Sequence, residues 1–165
     1  MSEFVKIVEV GPRDGLQNEK TPLTLLDRKN LILDLMQTGL SSIEVGSCVS
    51  AKWVPQMAMS DQLFAELPKH PNISLSLLTP NIKGFEAALA VGCQEIAVFT
   101  AASESFTQKN INCSIEESFA KFADIFAAAK QHNIKVRGYV SCIVDCPYEG
   151  AIDAKVVAQV TERLL

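Results

Sequence analysis

The sequence lacks the features that mark several large classes of protein. Its 165 residues include only two histidines, and 15 basic residues against 19 acidic ones give a formal net charge of -4. That balance excludes the basic surface typical of nucleic-acid binding, and the apolar content of 48% excludes disorder and collagen. The longest stretch free of Asp, Glu, Lys and Arg runs from His70 to Ile82. It is too short, and too broken by proline, to span a bilayer.

Cysteine pairs at metal-binding spacing are also absent. No two cysteines are separated by the two residues of a zinc or redox motif, so we interpret them as small buried side chains in a reducing compartment. The amino terminus has neither the charged start and apolar core of an export signal nor an Arg-rich leader. We therefore expect a cytoplasmic protein that binds neither nucleic acid nor membrane. The cysteines are Cys48, Cys93, Cys113, Cys142 and Cys146.

Short stretches rich in Val, Ile and Phe alternate with helical patterns along the chain. Thr24 with Asp27, and Ser114 with Glu117, have the spacing of capping boxes and predict two helix starts. Further helices fit residues 81–91 and the region from about Ile152 onwards. Strands are predicted at residues 4–10, 42–48, 73–79, 95–100 and 134–142.

This alternation predicts a parallel sheet, because parallel neighbours need a crossover connection. Five β-α units in 165 residues amount to roughly 33 residues each. Eight such units would need about 260 residues, the typical size of a (β/α)8 barrel. We therefore expect an α/β fold made of the first five or so β-α units of a (β/α)8 TIM barrel, truncated before closure. It would form one partial domain over residues 1–165.

The last predicted strand separates polar from apolar side chains by parity. Arg137, Tyr139 and Ser141 share one face, while Val136 and Val140 share the other. A central strand of an open parallel sheet is apolar on both faces, whereas a barrel strand opens one face onto a site at its carboxyl end. An edge strand would give the same pattern, so both interpretations stay open for this strand.

Polar residues also crowd the loop that follows the first predicted strand, at the end where parallel sheets place ligands. Asp14 is a hard oxygen ligand suited to Mg²⁺ or Mn²⁺, and Arg13 is a fixed cation suited to an enolate or carboxylate. Glu44 stands in the interior of a strand, where its carboxylate needs a partner, either Arg13 or a metal held at Asp14. The alternative for residues 13–15 is a turn stabilised by local hydrogen bonds.

Six spaced segments carry a pattern shared with one enzyme family. They are VEVGPRDGLQNE at 8–19, IEVGS at 43–47, KWVPQM at 52–57, KNINCS at 109–114, RGYVSC at 137–142 and CPYEG at 146–150. In this order they resemble the hydroxymethylglutaryl-CoA lyases, which belong to a metal-dependent barrel superfamily that also holds isopropylmalate and homocitrate synthases. Those synthases usually show TLRDGEQ where this chain has GPRDGLQ, so the resemblance favours the lyases.

The resemblance implies cleavage of 3-hydroxy-3-methylglutaryl-CoA to acetyl-CoA and acetoacetate, a step of leucine degradation and ketone body metabolism. A divalent cation, Mg²⁺ or Mn²⁺, would lower the pKa of the substrate hydroxyl so that a base can remove its proton. Asp14 would be a metal ligand, and Arg13 would stabilise the enolate oxygen. Glu9 and Glu44 would orient Arg13 and the groups around the metal.

The resemblance also suggests residues that contact the CoA thioester substrate. Lys20, Lys109 and Asn110 could contact the CoA phosphates, although a solvated loop explains them equally well. Further site-lining groups are Gln17, Ser47, Arg137, Tyr139 and Ser141.

Some of the family's pattern is altered or absent. Cys48 stands where Phe is expected, Ala51 where Pro is expected, and Asp145 where Gly is expected. The family's other metal ligands, a His-X-His pair and an Asn, and its loop catalytic Cys are expected beyond Leu165. Neither His70 nor His132 is placed to substitute, and Cys142 and Cys146 match cysteines of a different segment.

Three functions follow, and the sequence leaves them open. The chain could be the amino-terminal part of a lyase that is inactive alone, acting as a homo-oligomer or with the missing carboxyl-terminal part. It could be a non-catalytic remnant that binds CoA esters or associates with another chain through open strand edges. A synthase-type relative with the same metal and arginine is the third possibility.

Overall fold

The computed structural model, which describes residues 5–165, confirms the predicted alternation of strands and helices. Each predicted strand from residue 42 onwards is present within one residue of its predicted ends. The sheet has the order β1-β2-β3-β4, and β1 runs parallel to β2 with Ser42 opposite Ser74. The strands are β1 (Ser42–Ser47), β2 (Ser74–Leu78), β3 (Glu95–Ala101) and β4 (Lys135–Ser141).

The prediction of a first strand at residues 4–10 is wrong in extent. Phe4 lies outside the described residues, and within residues 5–10 only Glu9 pairs, in an isolated parallel bridge with Ile43. The Glu9 N–H donates to the Ser42 carbonyl at 3.0 Å, and its own carbonyl accepts from the Glu44 N–H at 2.8 Å. Val5 and Ile7 stay exposed, so their apolar alternation buries no surface that would favour an extended ladder.

Both predicted capping boxes begin helices. The Thr24 hydroxyl accepts a hydrogen bond from the Asp27 N–H, and Ser114 and Glu117 make both hydrogen bonds of the reciprocal pair. The last helix starts behind Asp153, whose carboxylate accepts from the Lys155 N–H. The helices are α1 (Leu25–Leu35), α2 (Ser60–Glu66), α3 (Ile82–Ala90), α4 (Glu104–Ile111), α5 (Ile115–His132) and α6 (Ala154–Leu164).

Two features of the second half of the chain were not predicted. Helix α4 follows β3 almost directly, and its cap is the buried Ser103, whose hydroxyl accepts from the Phe106 N–H at 3.0 Å. After β4 a small antiparallel hairpin forms from β5 (Asp145–Cys146) and β6 (Gly150–Ala151). Both are short, so periodicity over a long window does not detect them.

The chain divides into two compact units, one ending at Ile96 and the other spanning Ala97–Leu165. The first unit buries large side chains from α1, β1 and β2, including Ile32, Ile43 and Leu77. The second buries Phe122 and Ile125 of α5. Among residues 5–165, no helix is both long and apolar enough to cross a membrane.

Helix α6 packs on the apolar face of β4 at Gly138. Gly138 lies in that face, and a Cβ placed there would lie 3.0 Å from Leu164 Cδ1. Glycine therefore permits the close approach of the helix at this point. The opposite face of β4 carries Arg137 and Tyr139, which are half-buried. Because β4 is the end strand of the described sheet and Val136 on its apolar face is 37% exposed, both interpretations of this strand stay predictions.

Candidate active site

A π-helical turn, Gly11–Gly15, presents the arginine and the aspartate of the first motif. The N–H groups of Arg13 and Asp14 both donate to the Val10 carbonyl, at 3.0 and 2.7 Å. The Glu9 carboxylate accepts from the Gly11 N–H at 2.6 Å and so closes the start of the turn. Glu9 thus fixes the backbone that carries Arg13.

Arg13 is the partner that Glu44 needed. Its Nε lies 2.5 Å from Glu44 Oε1, and the Glu44 side chain is fully buried while that of Arg13 is 10% exposed. A buried carboxylate is stable only when it is paired and hydrogen-bonded, which this contact provides. Of the two partners that the sequence left open, the arginine is in direct contact with Glu44.

The other end of the guanidinium contacts a carboxylate near solvent. Arg13 Nη1 lies 2.5 Å from Asp14 Oδ1, and the Asp14 side chain is 53% exposed. Gln17 Nε2 donates to the same oxygen at 3.3 Å, and Asn18 Nδ2 donates to the Asp14 carbonyl at 2.7 Å. Residues 13–15 therefore form a turn with local hydrogen bonds, as the alternative interpretation predicts. The turn also holds the Arg13 guanidinium between the carboxylates of Glu44 and Asp14.

Ser47 is supported by two buried residues that the sequence did not reveal as part of the site. The Ser47 N–H donates to Ser60 Oγ at 3.2 Å, and Arg28 Nη2 donates to the same oxygen at 2.9 Å. A Cβ on Gly46 would lie 2.5 Å from Ser60 Oγ, so this backbone packs directly on Ser60. One signal in the sequence could have indicated that Arg28 is buried. It lies one turn before Ile32, on the same side of helix α1.

Two of these polar groups are buried with no hydrogen-bond partner among the described residues. They are Ser47 Oγ and Arg28 Nε. Burial also lowers the pKa of the Arg28 guanidinium from its ordinary value. Ser47 Oγ therefore keeps its capacity for a further hydrogen bond.

In the second unit, the remaining candidates occupy two elements. Arg137, Tyr139 and Ser141 alternate along one face of β4, and the Ser141 carbonyl accepts from the Ala102 N–H at 2.9 Å. Lys109 of α4 places its Nζ 3.8 Å from the ring centroid of Tyr148, and Asn110 beside it is exposed. The cation-π contact orients Lys109 without neutralising its charge.

A divalent cation needs more ligands than the described part of the chain brings together. Residues 5–165 contain no group of three or more His, Cys, Asp or Glu side chains placed to hold a metal ion. Asp14 offers one exposed carboxylate, which suits Mg²⁺ or Mn²⁺. His70 lies in a loop, where its Nδ1 accepts from the Asn72 N–H at 3.2 Å. The described residues thus fit a metal site to which this chain contributes one ligand, Asp14.

A family model described as HMGL-like matches residues 4–165. A relative from Pseudomonas aeruginosa, 3-hydroxy-3-isohexenylglutaryl-CoA/hydroxy-methylglutaryl-CoA lyase, is 54% identical over 97% of this chain and 53% of its own length. Human relatives include a mitochondrial hydroxymethylglutaryl-CoA lyase, 57% identical over 96% of this chain and 49% of its own. A human cytoplasmic 3-hydroxy-3-methylglutaryl-CoA lyase is 54% identical, over 99% and 44% respectively.

Solved structures give the same result. The crystal structure of the HMG-CoA lyase from Brucella melitensis matches with a TM-score of 0.95 and 47% identity, covering 99% of this chain and 58% of that one. An HMG-CoA lyase from Acinetobacter baumannii in complex with coenzyme A and 3-methylmalate matches at 0.91 and 32%, covering 99% and 54%. The expected fold, the leading β-α units of a TIM barrel, is confirmed. The chain spans about half the length of the relatives it matches.

Proposed function

This chain belongs to the HMGL-like family, and from that membership we propose that it supplies the amino-terminal part of a hydroxymethylglutaryl-CoA lyase active site. The reaction is the metal-assisted retro-Claisen cleavage of 3-hydroxy-3-methylglutaryl-CoA to acetyl-CoA and acetoacetate. One observation carries the proposal: the Arg13 guanidinium is fixed between the buried Glu44 and the exposed Asp14. No observation of comparable weight favours a non-catalytic remnant or a synthase-type relative.

Arg13 suits the charge that this cleavage creates. Breaking the carbon–carbon bond leaves an acetyl-CoA enolate, whose oxygen carries negative charge that the bound substrate lacks. A guanidinium stays charged at any physiological pH, and Glu44 fixes its Nε side so that the Nη groups lie toward the exposed Asp14. A donor that is already oriented stabilises such charge without reorganising during the reaction, which is the largest contribution in many enzymes.

We propose that a divalent cation, Mg²⁺ or Mn²⁺, is held partly by Asp14. The Asp14 carboxylate is exposed, and only its Oδ1 is engaged, by Arg13 and Gln17, in the contacts described above. When bound, such a cation lowers the pKa of the substrate hydroxyl that it contacts. Glu9 holds the turn that presents Asp14, and Gln17 orients its carboxylate.

The substrate class we propose is a CoA thioester. The complex of the Acinetobacter baumannii lyase with coenzyme A supports this class for a relative of the same fold. In this chain, Lys109 is an exposed cation held on the Tyr148 ring, which suits a CoA phosphate. Arg137, Tyr139 and Ser141 on one face of β4 suit the acyl portion. In the first unit, Ser47 Oγ is buried with no hydrogen-bond partner among the described residues, so it can make a further hydrogen bond.

We propose a cytoplasmic location and an assembly with copies of this chain or with the rest of the barrel. Relatives include proteins named cytoplasmic and proteins named mitochondrial, so location varies within the family. Fluorescence microscopy of a tagged chain tests the first point. Light scattering of the purified chain tests the second, and a monomer at micromolar concentration would contradict self-assembly.

The proposed activity is best tested in a chimera. Residues 1–165 are joined to the region of the Pseudomonas aeruginosa relative that lies beyond the match, and acetyl-CoA release is measured with Mg²⁺ or Mn²⁺. We expect turnover, with kcat reduced about 10²- to 10³-fold by Arg13→Gln and KM nearly unchanged. Arg13→Lys keeps the positive charge but loses the planar guanidinium. Its kcat should therefore lie between that of the unsubstituted chimera and that of Arg13→Gln.

The control for Arg13→Gln is Lys29→Gln, which removes a surface cation paired with Glu66. It should leave kcat unchanged. A folded chimera without turnover, or full turnover in Arg13→Gln, would refute the proposal. From the 165-residue chain alone we expect no detectable acetyl-CoA release. Turnover lost on Asp14→Ala would instead show that two chains assemble one site.

A further inference from the structure

Strand β1 contains a bulge directly after Glu44. Glu44 lies opposite Ser76 of β2, whereas Gly46 lies opposite Leu77, so Val45 is an extra residue with no partner in β2. A bulge bends its strand and redirects the side chains beside it. The direction of the Glu44 side chain therefore depends on what holds the backbone of β1 immediately after the bulge.

A buried clamp, formed by the side chains of Arg28 and Ser60, holds this backbone. Ser60 Oγ accepts from the Ser47 N–H at 3.2 Å and from Arg28 Nη2 at 2.9 Å. The same hydroxyl donates to the Met57 carbonyl at 2.7 Å. A hydroxyl has one proton and two acceptor sites, so its full hydrogen-bonding capacity is in use. A Cβ on Gly46 would lie 2.8 Å from Ser60 Cβ and 3.2 Å from Arg28 Nη2, so the clamp packs directly on the residue after the bulge.

The same arginine also holds a strained residue of the loop before α2. Met59 has φ +56°, a left-handed conformation that is uncommon for residues other than glycine. Arg28 Nη1 donates to the Ala58 carbonyl at 2.7 Å, so its two Nη groups contact the residues on both sides of Met59. Such a conformation persists only where the surrounding contacts over-determine it. Arg28 and Ser60 are 3% and 2% exposed, so water does not compete for these hydrogen bonds.

We propose that Arg28 and Ser60 are positioning residues, which hold the bulge in β1 and thereby orient Glu44 toward Arg13. This inference rests on the proposed function, because it acts through the arginine that is assigned there to the enolate oxygen. Glu44 Oε1 accepts from Arg13 Nε, while Nη1 of the same guanidinium contacts Asp14. A displacement of Glu44 by about 1 Å would turn the guanidinium, and a misplacement of that size can cost about a hundredfold in rate.

The kinetic test uses the chimera described above and compares Ser60→Ala with Ser42→Ala. Ser60→Ala leaves the Ser47 N–H and Arg28 Nη2 without their acceptor, so the backbone after the bulge is released. We expect kcat to fall about tenfold to a hundredfold, with KM nearly unchanged. Ser42 is the matched control, because it is a fully buried serine of the same strand whose hydroxyl has no hydrogen-bond partner among the described residues. Ser42→Ala should leave kcat unchanged.

Coupling to Arg13 distinguishes positioning from a purely structural role. In the Arg13→Gln chimera the group that the clamp orients is gone, so Ser60→Ala should cause no further fall in kcat. Independent effects would instead multiply. The same fall in kcat in both backgrounds, or no fall in either, would overturn the proposal. The proposed function fails separately, through a folded chimera that has no turnover without any substitution.

A second measurement needs no turnover and is made on the 165-residue chain by NMR. The Arg13 Nε–H signal is assigned by its loss in Arg13→Gln, and its exchange with water reports the hydrogen bond to Glu44. Ser60→Ala should speed this exchange by about tenfold or more, whereas Ser42→Ala should not change it. Unchanged exchange in Ser60→Ala would overturn the proposal.

The wild-type chain supplies a measurement that does not depend on how the variants fold. The Glu44 N–H donates to the Glu9 carbonyl at 2.8 Å, and the Ser47 N–H donates to the clamp. Amide exchange should therefore show comparable protection for the two amides. A Ser47 amide that exchanges as fast as in the unfolded chain would show that the clamp does not hold β1, and the proposal would be wrong.

Discussion

Glu44→Ala is the substitution whose effect the structure defines most directly. It leaves the Arg13 guanidinium 10% exposed without its buried counter-charge. Removing one partner of a buried ion pair costs about 3–5 kcal/mol of unfolding free energy. Asp14 does not compensate, because its carboxylate is 53% exposed and therefore screened by solvent. Glu44→Gln keeps an oxygen that can accept from Arg13 Nε and should cost about 1–3 kcal/mol.

Urea unfolding of the chain, followed by circular dichroism, measures this effect. With a slope of about 2 kcal/mol per molar urea, Glu44→Ala should lower the midpoint by about 1.5–2.5 M. The control is Glu66→Ala, which removes an exposed carboxylate paired with Lys29 and should leave the midpoint unchanged. Replacing Arg13 and Glu44 together by Met should recover much of the loss. Equal midpoints for Glu44→Ala and Glu66→Ala would refute the argument that the buried pair holds the turn.

Three further predictions concern packing and pH. Gly46→Ala places a Cβ 2.5 Å from Ser60 Oγ and should cost about 1–3 kcal/mol in urea unfolding, with Ser60→Gly restoring part of it. Gly138→Val should speed amide exchange in helix α6 by displacing Leu164, and unchanged exchange would contradict the close contact. Hydrogen bonds from Ser114 lower the pKa of Glu117, so the stability that this contact adds is present at neutral pH and lost as pH falls through that pKa. The difference in unfolding midpoint between wild type and Glu117→Gln should therefore shrink in acid, and a constant difference would refute the sign.

Sequence-based prediction succeeded where the determinant is local. The capping boxes at Thr24 and Ser114 need only residues three positions apart, and both helices start there. It failed at residues 5–10, because a strand there depends on pairing with β1, and only Glu9 pairs. The hairpin after β4 was missed for a related reason, since its two-residue strands carry too little periodicity to detect.

The residues of the candidate site also divide into those that the sequence indicates and those that only folding brings together. The motif residues Arg13 and Asp14 could be named as candidates from the sequence, because their chemistry and their place after the predicted first strand point to a ligand site. The contribution of Arg28 and Ser60 could not, because it consists of hydrogen bonds between distant residues: Arg28 and Ser60 are 32 positions apart, and Ser47 and Ser60 are 13 apart.

The few histidines, the balanced charge and the lack of metal-spaced cysteines excluded other classes of protein. The alternation of strand and helix patterns predicted an α/β chain of the first units of a barrel, and the motifs supplied the residues that could serve its site. Only the tertiary structure decided that Glu44 binds Arg13 and that Arg28 and Ser60 lie against the backbone of Ser47. The physical reason is the range of the interactions. Capping and strand alternation are fixed by neighbours along the chain, whereas the partner of a buried charge or hydroxyl depends on which side chains folding brings within a few ångströms.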